Sequence, residues 1–262
     1  MNGDIQFFSD GAAYEQLMGR WSRLVGYLFL DWLGAPRGLR WLDVGCGNGA
    51  FTETIVTRCA PAEVQGIDPS NAQIAYARTR EAARYAQFRP GDAQVLPFEN
   101  AHFDVAAMAL VISFIPNPAK AVTEMVRVVR PGGWVASYMW DAPGHPLAPI
   151  HDAARALGLA TPPGPPDVEV SRLANMQTLW QSAGLEAVEV RRIDIEVSFA
   201  DFDDFLHSNT TLSKPVAGYL RALPVAEQER VRDWLHKSLP RDATGRIRYG
   251  AFANAAKGRV PR

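Results

Sequence analysis

Apolar residues between positions 12 and 33 recur at helical spacing: Tyr14, Leu17, Met18, Trp21, Leu24, Val25 and Leu28 share one side, while Glu15, Arg20 and Arg23 fall on others. The pattern predicts an amphipathic helix that ends near Gly34 and Pro36. Then the period changes. The short apolar runs "LRWLDVG", "AEVQGIDPS", "AQFRPGDA", "FDVAAMAL" and "WVASYMW" predict five strands, the second ending at Asp68. Between them, 50–59, 70–85 and "PAKAVTEMVRVVRPGG" predict helices, the last stopped by Pro131-Gly132-Gly133. Strands alternating with helices of about a dozen residues imply a doubly wound parallel sheet, because a parallel crossover needs a connection of that length.

After residue 140 the pattern breaks at Pro143, Pro146, Pro149 and "TPPGPP", so 141–172 is expected to be loop and short helix. "ANMQTLWQSAGL" predicts a helix closed at Gly184, and "EAVEVRRIDIEVSF" alternates like a strand exposed on one face. Residues 201–240 read as helical, and "RIRYGAFANAAKGR" as a last strand returning to the sheet. With no internal repeat, the expectation is one α/β domain over 1–262, built on a seven-stranded sheet. Its core spans 36–140, and cap segments lie at 1–35, 141–172 and 200–244.

Composition narrows what such a domain does. Lys+Arg 27 against Asp+Glu 28 gives a net charge of -1, which supplies no electrostatic drive toward a polyanion, so a nucleic-acid partner is not expected. No leader-like segment and no run of eighteen apolar residues is seen, and the expected setting is the cytoplasm, without a membrane span. Cys46 and Cys59 are the only cysteines, too few for a disulfide framework or a thiolate metal site, and no metal is expected.

The chemistry concentrates in "WLDVGCGNGAF" at 41–51, between the first strand and its helix, where open α/β sheets bind ligands. Glycine there permits positive φ and close backbone approach to a ligand, although any tight strand-to-helix turn favours glycine too. Asp68 stands nineteen residues beyond Gly49, where an acid can accept hydrogen bonds from ribose hydroxyls. Two cofactor classes use such a layout. Gly45, Gly47 and Ala50 satisfy the relaxed dinucleotide fingerprint, which leaves an NAD(P)-binding oxidoreductase open. Yet Asp43 in the same turn would repel a pyrophosphate and welcome a cationic amino group.

"LDVGCGNG" at 42–49, "GIDPS" at 66–70, "GDAQVLPFENAHFDV" at 91–105 and "VVRPGGW" at 128–134 resemble the class I S-adenosylmethionine-dependent methyltransferases. The similarity is greatest to small-molecule enzymes akin to the quinone-biosynthesis (type 11) group. It covers 12–140 and is loose beyond. The resemblance implies a Rossmann-like fold, S-adenosylmethionine as cofactor, S-adenosylhomocysteine as product, and a small-molecule acceptor whose methylated atom (O, N or C) stays open. It implies that Asp43, Gly45, Cys46 and Gly47 surround the methionine portion, that Asp68 takes the ribose hydroxyls, and that Pro69 lies on the adenine face. Asp92 would accept from the exocyclic amine and the Ala93 N–H would meet a ring nitrogen, with backbone groups around Met108 and Ala109 beside the methionine portion. Tyr14, Met18, Arg20 and Trp21 are possible cap contacts, although a stripe at that spacing is more often plain core. His145 and His151 are the weak candidates for a catalytic base.

Several subclasses are disfavoured. The tetrad of amino-methylating nucleic-acid enzymes is replaced by Asn117-Pro118-Ala119, neither cysteine is placed as a nucleophile, and the paired glutamates of protein-arginine enzymes are missing after Val105. The absence of a clear base leaves a non-catalytic S-adenosylmethionine-binding protein as another alternative. A monomer or homodimer is expected.

Overall fold

A computed structural model describes residues 19–209 and 214–262. Helix α1 (Gly19–Leu33) leads into β1 (Arg40–Val44), α2 (Ala50–Cys59), β2 (Glu63–Asp68), α3 (Asn71–Ala77), β3 (Gln87–Pro90) and β4 (Phe103–Ala109). Then follow α4 (Pro118–Val128), β5 (Val129–Trp140), α5 (Ala148–Ala156), α6 (Leu173–Ser182), β6 (Glu186–Phe199), α7 (Phe202–His207), α8 (Lys214–Ala222), α9 (Val225–Ser238) and β7 (Ile247–Arg259). The strands form one seven-stranded sheet in the order β3-β2-β1-β4-β5-β7-β6. β1 is parallel to β2 and β4, and β4 to β5, whereas β7 runs antiparallel to β5. This is the Rossmann-like doubly wound arrangement, and the order reverses beside β1, where such sheets bind ligands.

The chain divides into two compact units. One comprises Ser22–Asp141, Pro165–Ile193 and Ala253–Arg262. Its core is built by alternation along the strands: Leu42, Val44, Ile67, Ala106, Met108, Val135 and Met139 pack with Met125 and Val128 of α4 and Trp180 of α6. Trp180 lies fully buried and donates its indole N–H to the Val135 carbonyl at 3.0 Å, so its polar edge is satisfied within the core. On the sheet's other face, Tyr138 meets Phe29 of α1 at 4.7 Å and Phe51 of α2 at 5.6 Å between ring centroids. Asp43 sits between Leu42 and Val44 and therefore points to this second face, toward α2.

The described residues of the other unit are 19–21, Ala142–Gly164 and most of Asp194–Phe252. Helices α5 and α9 pack together there, and Phe199 meets Trp21 and Phe205 edge-on at 5.4 and 5.1 Å. The Tyr249 hydroxyl donates to the Pro146 carbonyl at 2.6 Å.

Three expected elements differ. The helix over 70–85 is α3 followed by a separate 3-10 turn at Glu81–Arg84. The Thr79 hydroxyl donates to the Tyr76 carbonyl, a local bond that competes with the helical ladder. β5 begins at Val129, five residues before the apolar run "WVASYMW". It passes through Pro131-Gly132-Gly133 as an irregularity where the β4 ladder shifts between Phe103 and Val105. The helical stretch 201–240 is divided into α7, α8 and α9, with Pro224 standing at the start of α9. Among the described residues, no helix is long and apolar enough to cross a membrane.

Candidate active site

The turn from β1 into α2 runs Gly45-Cys46-Gly47-Asn48-Gly49. Gly45 and Cys46 donate their N–H groups to the Ile67 carbonyl at 2.8 and 2.9 Å, so the turn is hung from the end of β2. Gly45 and Gly47 both adopt positive φ, at 73° and 51°, but for different reasons. A Cβ on Gly45 would lie 2.6 Å from Val111, so the protein's own packing requires that glycine. A Cβ on Gly47 would meet no described residue within 4 Å, so among these residues its bare face borders open space.

Two carboxylates flank the turn. Asp43 is held in the ladder opposite Gly66 and Ala107 and is fully buried. Its Oδ2 accepts from the Thr52 hydroxyl at 2.6 Å, while among the described residues Oδ1 has no hydrogen-bond donor. Burial raises its pKa from 3.8 to about 7, with Thr52 opposing the rise and the Asp68 charge adding to it. Asp68 closes β2. Its Oδ2 accepts from the Gly47 N–H at 3.0 Å and its Oδ1 from the Ser70 N–H at 2.9 Å. Burial pushes its pKa up against those two bonds. Each Asp68 oxygen retains a lone pair for a further donor.

A buried carboxylate with an orphaned oxygen is costly unless a donor or cation arrives. A cationic amino group near Oδ1 of Asp43 and a ribose diol at Asp68 satisfy these acceptors, and S-adenosylmethionine carries both. A pyrophosphate does not fit. It would meet Asp43 and Asp68 beside the turn, the Ala50 N–H is already given to Asn48 Oδ1 at 3.2 Å, and Arg80 is directed to Glu53 and the Asn48 carbonyl.

The remaining expected site residues divide. Pro69 is exposed directly after Asp68. Asp92 follows the end of β3, but both its oxygens already bond the Gln94 side chain and Oδ1 also accepts from the Gln94 N–H at 2.8 Å, a turn-starting role. Ala93 is half-buried against the main core, and Ala109 pairs with Tyr138 at the end of β4.

Four of the expected residues have side chains that the structure places away from the turn. The Cys46 side chain is buried with Ile74, Ala77 and Phe88, because alternate turn residues face opposite sides, so only its backbone borders the site. Met108 has its side chain inside the main core, because its strand position faces α4 and not the ligand side. Trp21 is buried against Phe199 and is core. His145 is a poor base: its Nδ1 accepts from the Leu147 N–H at 3.0 Å, so the neutral ring carries its proton on Nε2 and is a donor there. Burial, then the neighbouring His151, pushes its pKa down to about 3. His151 lies half-buried on α5, its pKa lowered chiefly by burial. Tyr14 and Met18 lie outside the described residues, as does the Arg20 side chain.

Three residues that shape the turn were not singled out from the sequence: Thr52 on Asp43, Asn48 on Ala50, and Arg80 on the turn itself. Thr52 and Arg80 give no local signal, since each meets its partner through the fold. Asn48 before Gly49 is a turn signature that was available. Beyond β4, Leu110 takes positive φ at 61°, with its N–H on the Tyr138 carbonyl, and so delivers Val111 onto Gly45.

Residues 42–137 match a family described as a methyltransferase domain. Over those residues the chain is similar to class I S-adenosylmethionine-dependent methyltransferases of the type 11 group. It is 37% identical over 127 residues to a 2-phytyl-1,4-naphtoquinone methyltransferase of Synechocystis, covering 45% of this chain and 52% of that protein. It thus spans about half the length of that curated relative. A malonyl-[acyl-carrier protein] O-methyltransferase of Erwinia pyrifoliae is 28% identical over 187 residues, 71% of this chain and 66% of that one. In fold, the chain is similar to a Haemonchus contortus phosphoethanolamine N-methyltransferase 2 in complex with S-adenosyl-L-methionine. The TM-score is 0.61 at 19% identity, over 99% of this chain and 59% of that one.

Proposed function

We propose that this protein transfers a methyl group from S-adenosylmethionine to a small organic acceptor. The observation that carries the reading is the buried Asp43 carboxylate, one oxygen unpartnered, beside a glycine turn whose Gly47 face is open and whose neighbour Asp68 retains acceptor capacity. When bound, the cofactor's sulfonium supplies an electrophilic methyl group. The protein's part is to hold it. Asp43 takes the ammonium group and Asp68 the ribose hydroxyls, while Pro69 offers an exposed flat face to the adenine. Asp92 and the Ala93 N–H serve the adenine edge once Gln94 yields, and the backbone at Ala109 borders the methionine portion. Holding donor and acceptor in line supplies rate by fixing orientation and excluding water.

The acceptor is selected outside the 36–140 core, by segments 1–35, 141–172 and 200–244. The relatives act on a quinone and on an acyl-carrier-bound acid by their names, which supports a small organic acceptor and leaves the methylated atom open. Two buried free thiols fit a reducing cytoplasmic setting, in which a monomer or homodimer acts without nucleic acid.

Titration calorimetry with S-adenosylhomocysteine and with NADH tests the cofactor. Binding of the first and not of NADH is expected; stabilisation by NADH alone would overturn the reading. Incubation with methyl-labelled donor and a metabolite extract, followed by mass spectrometry, identifies the product. Cofactor binding without any labelled product would favour the non-catalytic binding protein.

A further inference from the structure

The glycine turn is gripped from two sides. On one side Asp68, just before α3, accepts from the Gly47 N–H. On the other is Arg80, three residues after α3 ends at Ala77. Its Nε donates to the Asn48 carbonyl at 2.6 Å, and its Nη1 meets Glu53 Oε2 at 2.9 Å. The Arg80 side chain is only 11% exposed. Its guanidinium lies 5.7 Å from the Tyr76 ring centroid, and its Cδ lies 3.4 Å from where a Cβ on Gly49 would stand. One planar fork thus joins the turn's carbonyl to the first turn of α2. Charge-assisted bonds of this kind, half-shielded from water, are stronger than neutral ones.

We propose that Arg80 is a positioning residue for the cofactor turn, fixing Gly47-Asn48-Gly49 so that the open face of Gly47 stays presented to the amino-acid portion of S-adenosylmethionine. The proposal rests on the function proposed above. Arg80 acts through the backbone of the turn that runs between Asp43 and Asp68, by way of the Asn48 carbonyl. A turn freed on the Arg80 side keeps Asp68 and Pro69 for the adenosine half but loses the set position of the half that faces Gly47. A lysine at 80 retains the charge and can pair with Glu53 or the Asn48 carbonyl, but it lacks the two-pronged plane.

The test compares two ligands by calorimetry on the full chain, with thermal unfolding measured in parallel. S-adenosylhomocysteine carries the amino-acid portion, and 5′-methylthioadenosine lacks it. For Arg80→Met the expected result is a loss of about tenfold in affinity for S-adenosylhomocysteine, the scale of a charged hydrogen bond, and little change for methylthioadenosine. Arg80→Lys should recover part of that loss, and Glu53→Gln should show a smaller loss of the same kind. Equal affinities of wild type and Arg80→Met for both ligands, or equal weakening of both together with a lowered Tm, would overturn the proposal and leave Arg80 a purely structural ion pair. If wild type binds neither ligand, the functional reading itself fails, and the positioning role fails with it.

Discussion

Replacing Asp43 by Asn tests the charge state on which the proposed cofactor binding rests. In the ligand-free protein the carboxyl titrates at about 7 against an ordinary 3.8, because ionisation would bury an unpaired charge. The sign follows from proton counts. Between those values the folded protein holds a proton that the unfolded chain has released, so wild-type stability falls as pH rises through that window. At about 1.4 kcal/mol per pH unit, the penalty reaches about 4 kcal/mol by pH 8. Asn keeps the Thr52 bond, cannot ionise, and removes this slope.

His145 and His151 work oppositely. Their lowered pKa values make stability rise with pH from about 3 for His145 toward the ordinary 6.5. The quantity to measure is therefore the difference between variant and wild type in urea unfolding, in steps from pH 4 to pH 8. That difference should grow steadily toward about 4 kcal/mol, roughly 10 °C in Tm for a chain of this size. A constant offset, from the amide N–H₂ in place of Oδ1, carries no slope. Parallel pH curves for the two proteins would refute the argument. S-adenosylhomocysteine, whose ammonium pairs with the ionised form, should bind wild type more tightly as pH rises from 5 to 7.5 and release a proton at pH 6. Both effects should shrink in Asp43→Asn to what Asp68, also raised by burial, contributes.

Asp68→Ala should weaken S-adenosylhomocysteine by about 1 to 3 kcal/mol by calorimetry, and an unchanged Kd would remove Asp68 from the site. Gly45→Ala and Gly47→Ala both place a side chain at positive φ, costing about 1 to 2 kcal/mol. Only the first also collides with Val111, at 2.6 Å, adding about 1 to 3 kcal/mol. Urea unfolding should rank Gly45→Ala as clearly the less stable, and equal losses would contradict the packing described. Trp180→Phe leaves one edge of the core without its bond to the Val135 carbonyl and should lower stability by about 1 to 3 kcal/mol, read as a fall in Tm.

Much of the fold was legible because its signals are local. Continuous apolar runs such as "FDVAAMAL" have the length of buried strands, and "AGL" before Glu186 ends α6 as a glycine stop should. The exceptions are places where a tertiary partner or a side-chain bond decides. The opening of β5 is aligned by β4 across a shifted register, and the α3 helix stops where Thr79 bonds backward to Tyr76. Of the candidate site, Asp43, Gly47 and Asp68 could be picked from the sequence since they occupy fixed places around a strand-turn-helix. The side chains of Cys46 and Met108, on the same segments, turn into the core, a direction that packing around them decides.

The sequence by itself determined the alternation of strand and helix, the glycine turn after β1, and the acid that ends β2, because period, turn chemistry and strand ends act between near neighbours. Only the tertiary structure decided that Asp43 is buried against the Thr52 hydroxyl, that Val111 claims the space above Gly45 while no described residue fills that beside Gly47, that Arg80 reaches back to the turn, and that His145 spends its Nδ1 on Leu147. Except for His145, those outcomes join residues far apart along the chain, and the energies of burial and of charge depend on what the fold brings beside them.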